Sequence, residues 1–306
     1  WRRALIELLE VLDTPKDKRD PYLDDELASG PYVNGGMFAE KNIEIPKFTD
    51  ELRELLLQHA SSGFDWSDIS PTIFGAVFES TLNPETRRSG GMHYTSIENI
   101  HKVIDPLFLN DLKDELNEIR QFKQIKTVEQ RAKQFQSKLA SLTFFDPACG
   151  SGNFLTETYI SLRKLENEAI KLYMGDNIAF DLGQDLVKVK LNQFYGIEIN
   201  DFAVSVAKTA LWIAESQMLE ATKEIVYAEI DFLPLKSYTN IVEGNALALD
   251  WEEVVPKDML KYIIGNPPFV GYTLQTKEQK ISLKSVYVDE DGKPYKTVNS
   301  SLSSGQ

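Results

Sequence analysis

Cysteine, histidine and long apolar runs are scarce in this sequence, and each scarcity excludes a class of protein. One cysteine, Cys149, excludes an internal disulfide framework, and three scattered histidines cannot build a Cys/His zinc site, so no metal site is expected. No apolar run approaches the roughly 18 residues of a membrane span, and no basic-then-apolar leader precedes a small-residue cleavage site. We therefore expect a reducing, cytoplasmic compartment and no membrane attachment.

Positive charge is also in short supply. The 306 residues contain 33 Lys+Arg against 47 Asp+Glu, a net charge of −14, which on average repels nucleic acid. A nucleic-acid substrate would therefore need a local basic patch or segments outside this chain. The length and the 42% hydrophobic content indicate a globular protein of roughly two domains.

The first part of the chain has helical periodicity and no alternation of strand and helix. Leu5, Leu8, Leu9 and Leu12 recur at helical spacing, Thr49 or Asp50 can cap a second helix, and Ser70-Pro71 opens a third. A helical domain over residues 1–88 is predicted. A long, charged helical pattern follows over 97–139, with Leu112, Leu116 and Ile119 on one face.

Short apolar runs then alternate with helical segments. The runs are 142–145, 194–198, 241–243 and 262–264, and an amphipathic helix is predicted over 202–219. This order indicates an α/β fold with a parallel sheet, whose ligands bind at the carboxyl ends of the strands.

A glycine turn follows the first run. Two glycines let the backbone approach a ligand closely, and the helix that follows offers free N–H groups. Leu155 takes the place of the third glycine of the dinucleotide fingerprint, which disfavours a dehydrogenase. The segment is either a plain tight turn or a cofactor-binding loop, with the candidate residues Asp146, Pro147, Ala148, Gly150 and Gly152.

A carboxylate and an amide follow the next two runs. Glu198 ends the second run, where it can accept hydrogen bonds from both hydroxyls of a ribose; the alternative is a favourable charge at the next helix N-terminus. Asn245 follows the third run, where an amide can read an adenine edge. An Asn turn explains Asn245 nearly as well.

The sharpest signal is Gly265-Asn266-Pro267-Pro268-Phe269, directly after the fourth run. Two prolines remove two backbone donors and force an extended path, so their carbonyls and the Asn266 amide can point at a ligand. Asn-Pro-Pro is also common in loops. Its place at a strand end, in line with the three other candidate positions, favours a functional role.

From about Gly91 to Tyr272 the sequence resembles the S-adenosylmethionine-dependent adenine-N6 methyltransferases of DNA in restriction–modification systems. Gly91-Met92-His93-Tyr94-Thr95-Ser96 is similar to their leading cofactor motif. The resemblance implies that S-adenosyl-L-methionine is bound by Tyr94, Thr95, Asp146, Pro147, Ala148, Gly150, Gly152, Glu198, Asn245 and Asn266. It implies that the catalytic residues are Asn266, Pro267 and Phe269.

The resemblance also implies an architecture. A Rossmann-like class I methyltransferase sheet, in its N-terminal half, follows an all-α helical connector domain over 1–88; residues 89–306 hold the cofactor and catalytic motifs, with a flexible tail over 273–306. Family members continue beyond the catalytic motif with further strands and a target-recognition region, and some carry an upstream nuclease. The chain is therefore expected to be an excised middle that does not methylate DNA alone. The resemblance implies that the complete bacterial or archaeal protein is cytoplasmic and nucleoid-associated, and that its partner is double-stranded DNA with a flipped adenine.

The resemblance assigns chemistry to the catalytic motif. The Asn266 side-chain oxygen and the Pro267 carbonyl accept the two hydrogens of the adenine amine, and Phe269 stacks on the flipped base. Cys149 lies inside the glycine turn and is expected to be a small packing residue, not a cytosine-C5 nucleophile. The motif alone leaves open a protein glutamine amide or an RNA guanine as substrate, and a non-catalytic scaffold.

Overall fold

The computed structural model describes residues 1–30, 32, 45, 47–63, 69–81, 95–174, 186–226, 240–269, 273, 275–286 and 288. Helices dominate these ranges. They are α1 (Arg2–Leu12), α2 (Asp25–Ser29), α3 (Asp50–Leu57), α4 (Pro71–Thr81), α5 (Ile97–Ile104), α6 (Asn110–Arg120), α7 (Ile125–Ala140), α8 (Asn153–Met174), α9 (Asp201–Val226), α10 (Trp251–Val254) and α11 (Lys277–Val286). The strands are β1 (Phe144–Asp146), β2 (Phe194–Glu198), β3 (Asn240–Glu243) and β4 (Tyr262–Ile263).

The four strands form one parallel sheet in the order β3-β2-β1-β4. Phe144 of β1 pairs in register with Phe194 of β2 and with Tyr262 of β4. Its ring stacks between theirs at centroid distances of 5.5 and 5.3 Å. The predicted α/β class with a parallel sheet is confirmed, because each predicted apolar run contributes a strand.

Alternating strand residues supply two apolar layers. Phe144 and Phe194 face the large core formed with helices α5 to α9. Phe145 and Tyr195 face the opposite side, where Val255 joins them and the rings of Phe145 and Trp251 form a T-shaped pair with centroids 5.0 Å apart. The sheet is therefore covered on both faces, as a parallel sheet requires.

The three helices predicted near the N-terminus form where the sequence places them. Thr49 caps α3 by accepting the Leu52 N–H at 3.2 Å, and Ser70 accepts the Ile73 N–H at 3.4 Å before α4. Helix α4 packs on α8 and α9. The domain division at residue 88 stays a prediction, because residues 82–94 lie outside the described ranges, as do most of the predicted loop residues 30–36.

The helical pattern predicted over 97–139 is divided into three helices. A turn of π-helix over Asp105–Leu109 separates α5 from α6, and a break at 121–124 precedes α7. Pro106, which has no N–H to continue an α-helical ladder, lies in the π-helical turn. The predicted face of Leu112, Leu116 and Ile119 is buried.

The segment predicted as a flexible tail contains helix α11. Thr276 and Gln279 form a reciprocal cap: the Gln279 N–H donates to Thr276 Oγ1 at 3.2 Å, and the Thr276 N–H donates to Gln279 Oε1 at 2.9 Å. This capping box starts the helix. The prediction of a flexible tail did not take into account the three-residue spacing of Thr276 and Gln279, which indicates a helix start. No helix among the described residues is long and apolar enough to cross a membrane.

Candidate cofactor and catalytic site

The candidate residues follow the carboxyl ends of adjacent strands. Asp146 and Glu198 end β1 and β2, Asn245 follows β3, and Asn266 follows β4. Because the strands are parallel and neighbouring, these ends lie along one edge of the sheet. The structure therefore brings these four residues to one edge, although the sequence separates Asp146 from Asn266 by 120 residues.

The glycine turn between β1 and α8 is fixed to β2 by backbone donors. The Cys149 N–H donates to the Ile197 carbonyl at 3.0 Å, and the Gly150 N–H donates to Glu198 Oε2 at 2.9 Å. The thiol of Cys149 is buried, and burial raises its pKa well above the ordinary value. Cys149 is therefore a packing residue, as predicted.

Gly152 ends this loop at a point that admits no side chain. Its φ is +79°, and a Cβ built there would fall 2.9 Å from the Cβ of Ala207 on α9. Pro147 and Ala148 line the preceding turn and are half-buried. The backbone can follow this path and α9 can pack beside it only if residue 152 is glycine.

Glu198 supports the loop and retains acceptor capacity. Its two carboxylate oxygens accept the Gly150 N–H and, at 3.0 Å, the Asn200 N–H. An ionised carboxylate has about four acceptor sites, so two hydroxyl groups can still donate to Glu198. This arrangement fits the predicted ribose contact, which stays a prediction.

Asp146 is buried, with 2% of its surface exposed, and accepts the Ala148 N–H at 3.0 Å. Burial raises the pKa of this carboxyl to about 7; the charge of Glu198 adds to the rise and the hydrogen bond from Ala148 opposes it. A cationic group beside Asp146 would favour the ionised form. The site therefore fits a ligand with a positive charge better than one with a phosphate.

Asn266 lies next to Thr95, which is distant from it in the sequence. Asn266 Nδ2 donates to Thr95 Oγ1 at 3.4 Å, a long hydrogen bond that joins two sequence motifs 171 residues apart. Thr95 is half-buried, while Asn266, Pro267 and Phe269 are exposed, Phe269 at 70% of its surface. Tyr94, the other predicted residue of the leading motif, lies outside the described residues.

Asn245 is engaged within the chain. Its side-chain oxygen accepts the Leu247 N–H at 3.0 Å, and its amide nitrogen donates to Ser282 Oγ on α11 at 3.2 Å. The first bond makes an Asn turn, the alternative that the sequence left open. The contact with Ser282 was not predicted, because no spacing rule links a residue after β3 to a helix 37 residues later.

Gly265 directly precedes the Asn266-Pro267-Pro268 motif, and the structure shows why glycine stands there. Its φ is +152°, and a Cβ at this position would fall 2.8 Å from the carboxyl carbon of Asp146. A side chain would therefore separate the ends of β1 and β4. The signal for this role in the sequence is a glycine immediately before Asn-Pro-Pro.

Similarity to known proteins agrees with this geometry. Residues 122–299, more than half of the chain, match the family described as MmeI, DNA-methyltransferase domain. The protein named DNA methyltransferase A of Bacillus subtilis (strain 168) is 40% identical over 290 residues, which cover 93% of this chain and 31% of that protein. A predicted type II restriction enzyme and methyltransferase of Methanocaldococcus jannaschii is 27% identical over 84% of this chain and 24% of its own length.

A solved structure shares the fold. The type IIL restriction–modification enzyme MmeI in complex with DNA superposes with a TM-score of 0.84 at 39% identity, covering 95% of this chain and 38% of that one. The chain thus spans between 24% and 38% of the length of these relatives. The sequence-based resemblance to restriction–modification DNA methyltransferases is confirmed, and the chain belongs to the MmeI DNA-methyltransferase domain family.

Proposed function

We propose that the chain is the cofactor-binding and catalytic part of a longer restriction–modification enzyme that methylates adenine N6 in double-stranded DNA. The observation that carries the proposal is the meeting of Asn266 with Thr95 at the same sheet edge as Asp146 and Glu198. The similar MmeI enzyme was solved in complex with DNA, which supports DNA over RNA or protein as the substrate. The sheet would then be the first half of a Rossmann-like methyltransferase fold, preceded by an all-α connector.

The residues at the sheet edge suit S-adenosyl-L-methionine. Glu198 would accept the ribose hydroxyls, and Asp146 would balance the positive charge of the cofactor. The remaining contacts are proposed for Tyr94, Thr95, Pro147, Ala148, Gly150, Gly152, Asn245 and Asn266. The cofactor, when bound, supplies a methyl group on a sulfonium.

Asn266 and Pro267 would activate the acceptor. The adenine amine is a poor nucleophile because its lone pair is delocalised into the ring; accepting its hydrogens on Asn266 Oδ1 and the Pro267 carbonyl localises that pair. The contact of Asn266 Nδ2 with Thr95 supports this role, since it orients the amide and leaves Oδ1 as the acceptor. Holding the reacting groups in line supplies most of the remaining acceleration.

Phe269 would hold the base. An adenine in a duplex is stacked and paired, so its amine becomes accessible only when the base is flipped out. An aromatic ring that is 70% exposed and three residues beyond Asn266 offers a stacking face for that base. The net charge of −14 favours DNA binding mainly by other parts of the complete protein. For these parts we propose a target-recognition region and an upstream nuclease.

Tritium transfer from labelled cofactor tests the substrate class. The complete protein that carries this chain should label duplex DNA and leave RNA and protein unlabelled, whereas the 306-residue chain alone should give no transfer above background. In the complete protein, the variant Asn240→Ala is a control that should keep DNA labelling. The Asn240 side chain donates to the Asn192 carbonyl at the amino ends of the strands, away from the proposed site. Labelling of RNA or protein in place of DNA would contradict the proposal.

A further inference from the structure

A titratable cluster lies beside the proposed site, between the two helices that lead into it. His101 on α5 contacts Asp105 Oδ1 through Nδ1 at 2.9 Å and Glu157 Oε1 on α8 through Nε2 at 3.1 Å. Lys113 on α6 is 3.5 Å from the same Asp105 oxygen. Glu157 is buried, with 6% of its surface exposed.

Both helices begin directly after residues of the proposed site. Helix α5 is capped by Ser96, directly after Thr95, and α8 begins at Asn153, directly after Gly152. At about 1.5 Å per residue, His101 and Glu157 lie one to two turns from these starts. The contacts of His101 with Asp105 and Glu157, called the His101 bridge below, therefore join the two helices close to the Thr95 segment and the glycine turn.

Doubly protonated His101 suits this place better than the neutral ring. Two carboxylates face its two nitrogens, and both nitrogens are donors only in the imidazolium form. A neutral ring would turn an acceptor nitrogen towards one carboxylate. Burial lowers the pKa of His101, but the hydrogen bonds and charges of Asp105 and Glu157 outweigh it, so the pKa lies above its ordinary value.

We infer that His101 is a positioning residue, whose imidazolium fixes α5 on α8 and so holds Thr95 against Asn266. Apolar contacts of Ile100 and Ile104 also hold α5 on the core, and they are independent of pH. The contacts of His101 with Asp105 and Glu157 add a component that is fully present below the ordinary pKa of a histidine and is lost as pH rises from there through the raised pKa of His101. The link to catalysis rests on the proposed function.

Calorimetric binding of S-adenosylhomocysteine to the chain, near pH 6 and near pH 9, tests this inference. His101→Gln removes the charge and keeps polar atoms, and Glu157→Gln does so from the other side with little change in volume. Relative to either variant, the wild type should lose at least about fivefold in affinity between the two pH values, the lower end of usual coupling between sites. Asp146 titrates in all three proteins, so the comparison cancels its effect.

Arg120→Gln is the matched control. Arg120 pairs with Glu168 at 2.6 Å and so joins α6 to the same helix α8, eleven residues further from the glycine turn than Glu157. This variant should keep the wild-type pH profile. Profiles of both bridge variants that coincide with the wild type would overturn the inference and leave the proposed function standing.

Amide hydrogen exchange in the first turn of α5 separates the two proposals, because it needs no ligand. Exchange in this turn, corrected for intrinsic rates, should rise between pH 6 and 9 in the wild type and be uniformly high in His101→Gln. If the wild type shows this change but binds no S-adenosylhomocysteine, the bridge exists and the proposed function fails. If exchange is the same in both proteins at both pH values, His101 does not position α5.

Discussion

The carboxyl group of Asp146 lies directly against the backbone of Gly265, in the space that a Cβ at residue 265 would occupy. Asp146 ends β1 and Gly265 follows β4, so this contact joins the proposed cofactor carboxylate to the loop that carries Asn266. The ends of β1 and β4 are therefore held at a distance set by packing at one glycine, and under the proposed function this distance separates the cofactor carboxylate from the catalytic Asn266.

Gly265→Ala should damage turnover far more than it damages folding. The new methyl group clashes with the Asp146 carboxyl, and the backbone φ of +152° at residue 265 is unfavourable for alanine. A displacement of about 1 Å at a catalytic group can cost about a hundredfold in rate, which is the loss expected for the complete enzyme.

Gly244→Ala provides the comparison. Gly244 follows β3, the outer strand on the opposite side of the sheet from β4, and a Cβ there would meet the end of the flexible Leu249 side chain, at 2.5 Å. That side chain can move, so this variant should keep turnover within a few-fold of wild type. Equal losses in both variants would show that the Asp146–Gly265 contact has no special role.

Stability should depend on pH through Asp146. Its pKa rises from an ordinary 3.8 to about 7 in the folded chain, so the folded state binds this proton more tightly than the unfolded state. The free energy of unfolding should therefore fall as pH rises from about 4 to about 7, and Asp146→Asn should remove this part of the fall. Thermal unfolding across this range measures both proteins.

Glu215 does not confound that comparison. Burial raises its pKa to about 7 as well, but Glu215 titrates in the wild type and in Asp146→Asn alike. The difference between the two curves isolates Asp146. Parallel curves would mean that the Asp146 carboxyl is not held near neutrality in the folded chain.

Glu198→Gln should weaken binding of S-adenosylhomocysteine about tenfold to a hundredfold, since a hydrogen bond to a charged acceptor contributes roughly 1.5–3 kcal/mol. Glu243→Gln is the control. Glu243 lies on β3, where it pairs in register with Glu198 of β2, but its side chain is exposed. Calorimetry on the chain should give an unchanged affinity for the control. An unchanged affinity in Glu198→Gln would remove Glu198 from the site.

Asn266 and Phe269 should fail in different ways in the complete enzyme. Phe269→Ala removes a stacking face worth about 1–3 kcal/mol per base, and Phe269→Trp should retain part of the activity. A mismatch at the target loosens the base and should partly restore Phe269→Ala. It should not restore Asn266→Ala, which lacks an acceptor for the amine; equal rescue would contradict the division of roles.

The strands and their ligand edge were predictable because their signals are local. Each strand is a short apolar run that ends at a polar or glycine-rich turn, and β2 has the predicted bounds of Phe194–Glu198. Parallel pairing then follows from the alternation with helices. Asp146, Glu198 and Asn266 could therefore be assigned to one edge of the sheet from the sequence alone.

Other features depend on contacts that no local pattern encodes. The near-neutral pKa of Asp146 arises from burial and from the charge of Glu198, 52 residues away. The His101 bridge needs α5 and α8 to pack side by side, and the contact of Asn245 with Ser282 needs α11 to return to the sheet edge. Helix α11 itself was foreseeable from Thr276 and Gln279, because a capping box is a sequence signal.

Mass spectrometry of nucleosides tests the central claim most directly. DNA is incubated with the complete protein and S-adenosyl-L-methionine, digested to nucleosides and compared with the product of Asn266→Ala. The account predicts N6-methyldeoxyadenosine with the wild type and at least about a hundredfold less with the variant, whose affinity for S-adenosylhomocysteine should be nearly unchanged. Methylated cytosine in place of adenine, or normal adenine methylation by Asn266→Ala, would contradict it.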